Sequence, residues 1–229
     1  MNAISENLSI RWAGILLMLG CLIMPVAVLI YIFVYASPTG TGEAGAITNA
    51  DLAIHFLIKR EFASNVWRTE VFSVVFTAVA SFVLINSETR ESKFISAKIG
   101  WLFVALGSIV LIGMYAVMLG SYRIAAENFA NEPALFPAMN NIAVVIFNFG
   151  NFLTFIGFGI VFLSEQTSEF IPKLLAKITA ILSFIFAAFS FLFFCEIANY
   201  KQFLFLGPVV VFIYLIAAFL GFSIWRKNY

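Results

Sequence analysis

The chain has 229 residues, of which 62% are hydrophobic and 11% charged, with a formal net charge of +1. Soluble domains carry about 25% charged residues, so this composition excludes a water-soluble core and calls for an apolar solvent. The near-zero net charge excludes a basic field for nucleic acid. The single histidine, His55, and the isolated cysteines Cys21 and Cys195 suggest no bis-histidine haem, zinc cluster or disulfide framework.

A hydrocarbon core of about 30 Å takes roughly 20 apolar residues at 1.5 Å each. Six charge-free stretches meet that need: Trp12 to Ala36, Val71 to Ser87, Ile99 to Tyr122, Pro133 to Ser164, Ile178 to Cys195, and Gln202 to Trp225. Strong period-2 alternation is missing, which disfavours a barrel, so the backbone must satisfy its own polar groups as helices. The predicted fold is all-α: one domain over residues 1–229, a polytopic bundle of six transmembrane helices. Its spans are approximately 12–36, 66–87, 97–121, 138–164, 173–195 and 203–225. Trp12, Trp67, Trp101 and Trp225 all fall at predicted helix ends, as an interfacial aromatic belt requires.

The first span opens after Arg11. Met18-Leu19-Gly20-Cys21 faintly resembles a lipoprotein cleavage site, but the apolar run continues well beyond it, which a cleaved signal does not need. Pro25 is a possible kink. The first loop begins Gly-rich, Ser37 to Glu43, and then carries Asn49 to Phe62, where Asn49 or Asp51 can cap a short helix. That helix is predicted to lie in the membrane interface, with Lys59 and Arg60 at headgroup level and His55 solvated.

Glu70 and Arg68 stand at the mouth of the second span. Residues two apart on a helix do not face each other, so their partners are expected elsewhere, among Arg123, Glu196 and Lys201. Such a cluster can bind a charged headgroup or solute, or simply anchor the interface. In the third span Gly100 and Gly107 are seven apart, as are Gly113 and Gly120, and both pairs predict grooves for close helix packing.

The fourth span is the most polar. Asn141, Asn148, Asn151 and Thr154 form a stripe that must face protein or water rather than lipid. Asn148 and Asn151 are candidate binding residues for a solute or ion pathway. The competing reading is interhelical hydrogen bonding, which Gly150, Gly157 and Gly159 favour. Gly207-Pro208 is a further candidate kink, in the sixth span.

Lysines and arginines set the expected orientation. Arg11, Arg90, Lys93, Lys98, Lys173, Lys177, Arg226 and Lys227 share the side of both termini, against Lys59, Arg60, Arg68, Arg123 and Lys201 on the other. This bias predicts cytoplasmic termini. The spans hold no Asp and no His, which argues against intramembrane proteolysis, and no mid-membrane Lys for a retinal Schiff base. No phosphate-cradling Gly-Lys-Ser/Thr loop and no internal repeat are present. No catalytic residue, metal or cofactor is expected.

Three segments together resemble an uncharacterised family of bacterial six-helix membrane proteins. They are Arg11-Trp12-Ala13-Gly14-Ile15-Leu16, the run from Glu61 through Trp67, Arg68 and Glu70 into Val71-Phe72, and Phe170-Ile171-Pro172-Lys173-Leu174-Leu175. Where that family has Phe-Arg followed by an Asp, this chain has Trp67-Arg68 and Glu70. The resemblance implies a bacterial inner-membrane protein and brings no activity with it. The expected role is a non-enzymatic scaffold or accessory subunit acting through helix contacts; the alternative is a small carrier or channel. The expected partners are membrane lipids, other membrane proteins or a second copy of the chain.

Overall fold

In the computed structural model, the described residues are 3–30, 49–86, 95–164, 167–195 and 207–227. They form six long helices: α1 (Ala3–Ile30), α2 (Asn49–Asn86), α3 (Ile95–Glu127), α4 (Leu135–Leu163), α5 (Lys173–Phe194) and α6 (Gly207–Arg226). A single 3₁₀ turn, Thr167–Glu169, lies before α5. All six are long and apolar enough to cross a membrane, and no strand occurs among the described residues. The chain is therefore an all-α, multi-pass membrane protein. The Gly-rich stretch 37–43, Arg90, Lys93, Glu196 and Lys201 lie outside the described residues.

Sequential helices run antiparallel and pack side by side, and α6 returns to α1 to close a ring. The end where α1 begins and α6 finishes is the near end; the other is the far end. Three seams bring backbones together. A Cβ on Gly14 of α1 would lie 2.7 Å from the Gly221 carbonyl oxygen of α6. On α1, a Cβ at Gly20 would lie 2.8 Å from the Ser73 carbonyl oxygen of α2. Between α3 and α4, Gly100 abuts Gly157 and Gly107 abuts Gly150 and Thr154, with contacts of the same closeness. Lipid offers no hydrophobic drive for helices to associate, so close approach through small residues supplies the attraction instead.

Several sequence expectations need correcting. Gly113 and Gly120 line no groove: a Cβ at either would meet nothing within 4 Å. Trp67 and Trp101 are buried in the core, and only Trp12 and Trp225 of the four are exposed as a belt requires. Pro208 does not kink a span, because α6 starts at Gly207 and the proline sits in its first turn, where a missing N–H costs nothing.

The short helix expected in the first loop is not distinct from the second span: it joins it across a kink at Lys59. Asn49–Asn86 is one element of 38 residues, interrupted by non-helical geometry at Lys59 (φ −108°, ψ 16°). Residues 66 to 86 suffice to cross about 30 Å, so the first 17 residues of α2 are an arm beyond the span. Phe56 stacks on Trp67 with ring centroids 5.6 Å apart and an 11° interplanar angle. On a straight helix their Cα atoms would be about 16 Å apart, so the arm folds back at Lys59. Tyr122 of α3 meets both rings edge-on at 5.5 and 5.7 Å, and Phe136 of α4 meets Tyr122 at 5.2 Å.

Polar contacts tie both ends. At the far end Glu127 accepts from Arg60 at 3.2 Å and from Arg123 at 2.8 Å. At the near end Arg11 Nε donates to the Trp225 carbonyl at 3.2 Å, a cation at a helix C-terminus. Lys227 pairs with Glu169 at 2.7 Å and sits 4.5 Å above the Phe170 ring.

Candidate functional site

The inward face of α2 carries a polar stripe. Glu70, Ser73, Thr77 and Ser81 follow one another at intervals of three and four residues, and all are buried. This spacing keeps them on one side of a 3.6-residue helix. Ser73 Oγ donates to the Gly20 carbonyl oxygen of α1 at 2.6 Å, a contact that only a glycine seam leaves room for. Thr77 and Ser81 donate back to Ser73 and Thr77 carbonyls at 2.9 and 2.8 Å, so their hydroxyls are satisfied within the helix.

Glu70 heads the stripe and is 7% exposed. The Tyr115 side chain of α3 is buried beside its carboxyl group. Tyr214 of α6 and Cys21 of α1 are buried nearby, Cys21 beside Thr77. One carboxyl thus sits where four helices bring polar side chains near one another, and the ion pairs at Glu127 and Glu169 do not include it. Burying a carboxyl without a cation is costly, and membrane proteins do so at sites of use.

Arg68 takes no part in this. It is exposed on the opposite side of α2 and donates to Asn65 Oδ1 at 3.2 Å. Arg123 is engaged by Glu127. The cluster of Glu70, Arg68 and Arg123 expected at the helix mouth does not form, because Glu70 points inward while both arginines point out.

On α4, Asn148 and Asn151 are 5% and 6% exposed, whereas Asn141 is exposed nearer the far end. Asn140, beside it, accepts a hydrogen bond from Tyr122. Continuing from Asn151 at helical spacing, the same face of α4 carries Phe155 and Phe158, both fully buried. Phe155 meets Phe186 of α5 at 4.4 Å and Tyr214 at 5.7 Å, and Phe158 meets Tyr214 at 5.9 Å. The asparagine stripe therefore runs into a plug of aromatic rings. Thr154 instead turns to the α3 seam, where its hydroxyl and that of Ser108 are buried without a hydrogen-bond partner.

Tyr115, Tyr214 and the Ser73–Thr77–Ser81 continuation of Glu70 were not among the expected site residues. The 3–4 spacing of that stripe is readable in the sequence; the two tyrosines, on other helices, carry no such signal. Among the described residues no group of three or more His, Cys, Asp or Glu side chains is placed to hold a metal ion. Comparison with family models, with curated proteins and with solved structures finds no match, so the likeness to a bacterial six-helix family rests on its three short segments alone.

Proposed function

We propose that this protein is a non-enzymatic scaffold or accessory subunit of a bacterial inner membrane, with both termini cytoplasmic, acting through helix contacts with a membrane partner. The observation that carries this reading is the far-end arm of α2. It is longer than a span requires, is fixed by Phe56, Trp67, Tyr122 and Phe136, and presents Ile54 and Ile58, the latter 75% exposed. An ordered apolar surface raised from the bundle suits docking better than catalysis. The aromatic plug below Asn151 supports the same reading, since it fills the route a solute would take.

The test is copurification in mild detergent of the wild type and of Ile54→Ser with Ile58→Ser. A specific partner should be retained by the first and lost by the second, with thermal unfolding unchanged. Equal retention by both would remove the arm from the proposal. A second reading, a small carrier, is favoured by Glu70 alone. It predicts that Glu70→Gln, reconstituted in vesicles, abolishes a pH-gradient-driven flux that the wild type supports.

A further inference from the structure

Glu70 lies about one turn inside the far end of its span, and aromatic rings cover it on both sides. Trp67 precedes it by three residues on the same buried face of α2, toward the far end. On α3, Tyr122 stands seven residues beyond Tyr115, so these two buried tyrosines also share a face. Phe56 completes the far layer: it stacks on Trp67 and meets Tyr122 at 5.5 Å. Toward the near end lies the plug of Phe155, Phe158, Phe186 and Tyr214.

The two layers are held differently. The plug rings belong to the spans of α4, α5 and α6, whereas Phe56 belongs to the arm, which joins its span through the non-helical Lys59. One residue outside helical geometry is where a hinge absorbs a change of φ and ψ. Arg60, on the span side of it, is tied to Glu127 of α3, which fixes the pivot. Rotation at Lys59 lifts Phe56 off Trp67 without moving a span, and about 6 Å of helix then separates Glu70 from the far-side interface. The titratable groups buried around Glu70 are Cys21 of α1, Tyr115 of α3 and Tyr214 of α6, and none is a cation. Arg68 points to the opposite side of α2, and the buried faces of α4 and α5 hold only uncharged residues. An ionised carboxyl in such surroundings costs far more than the neutral acid. We propose that Glu70 is a proton-binding site and that the arm of α2 is its lid, opening at Lys59 to exchange the proton with the far side of the membrane.

Infrared spectroscopy of the full chain in lipid vesicles tests both parts. Exposed carboxyls are ionised at neutral pH, so an acid carbonyl band present in the wild type and missing from Glu70→Gln belongs to Glu70. Glu70→Asp should keep that band at a shifted frequency. In heavy water the band moves as deuterium replaces the proton, and the rate of that movement reports opening of the lid. Phe56→Ala should speed the exchange by at least about a hundredfold, and Phe56→Leu should speed it less. Phe186→Ala removes an equally buried ring from the plug and should change the rate little. Absence of the band from the wild type, or its survival in Glu70→Gln, would overturn the proton site. Equal rates in the wild type and Phe56→Ala, or equal acceleration by Phe56→Ala and Phe186→Ala, would overturn the lid. The measurement needs no partner, so either failure would leave docking on Ile54 and Ile58 untouched.

Discussion

Glycine 157 and glycine 113 look alike in the sequence and do opposite things. A Cβ on Gly157 would lie 2.6 Å from both the Gly100 carbonyl oxygen and the Val104 backbone nitrogen, atoms that no side-chain rotation can move, while a Cβ on Gly113 meets nothing within 4 Å. Gly157→Ala should therefore push α3 and α4 apart at a cost of about 1–3 kcal/mol, read as a lowered unfolding temperature in detergent. Gly113→Ala should cost nothing. If the two variants unfold at the same temperature, the seam contributes no stability. The difference was legible in principle. The antiparallel register that pairs Gly100 with Gly157 also pairs Gly107 with Gly150, and it leaves Val144 and Pro137 opposite Gly113 and Gly120. Spacing within one helix predicts a groove only when the facing helix supplies the matching pair.

Among the elements, α2 shows where hydropathy and helix formation part company. The sequence pattern predicts a span at 66–87 and a separate helix before it, because charge at Lys59, Arg60, Glu61 and Arg68 interrupts the apolar run. Charge ends a span but does not end a helix. No Gly or Pro occurs between Asn49 and Asn86, so nothing in the chain chemistry stops intrahelical hydrogen bonding, and the element runs on beyond the hydrocarbon. The fold at Lys59 comes from tertiary contact: Phe56 gains Trp67, Tyr122 and Phe136 as neighbours, a rearrangement that no single-helix periodicity displays. Truncating a fully buried Phe costs about 3–5 kcal/mol, and here the loss falls on the aromatic cluster that holds the arm against α3 and α4. Phe56→Ala should raise amide hydrogen exchange across residues 49–58 while α4 and α5 keep theirs. A uniform rise through all helices, or none in the arm, would show that the arm is not an independently held unit.

At the scale of the molecule, the number and order of the spans followed from length and charge alone, but the ring did not. Adjacent helices must pack because short connections leave them little choice; closure of α6 on α1 depends on residues more than 200 positions apart. The same separation hid the site. Glu70 is visible in the sequence as an acid at a helix mouth, whereas the buried tyrosines near it, Tyr115 and Tyr214, come from α3 and α6. Closure therefore assembles the polar centre as well as the bundle. α6 meets α5 over a much shorter stretch than it meets α1, so its backbone is held mainly by the Gly14–Gly221 crossing and Arg11 at the Trp225 carbonyl, with Tyr214 set against Phe155 and Phe158 of α4. A Cβ on Gly221 would lie 2.6 Å from the Met18 nitrogen and 2.7 Å from the Gly14 carbonyl oxygen, and both are backbone. Gly221→Leu should thus lift α6 from α1 at a cost of about 1–3 kcal/mol, with no hydrophobic collapse in lipid to draw it back. Hydrogen exchange should rise in α6 and in the near half of α1 and stay low along the α3–α4 seam. Equal loss of protection in all six helices would mean that the bundle comes apart as a whole, and that closing the ring is not a separate step from forming it.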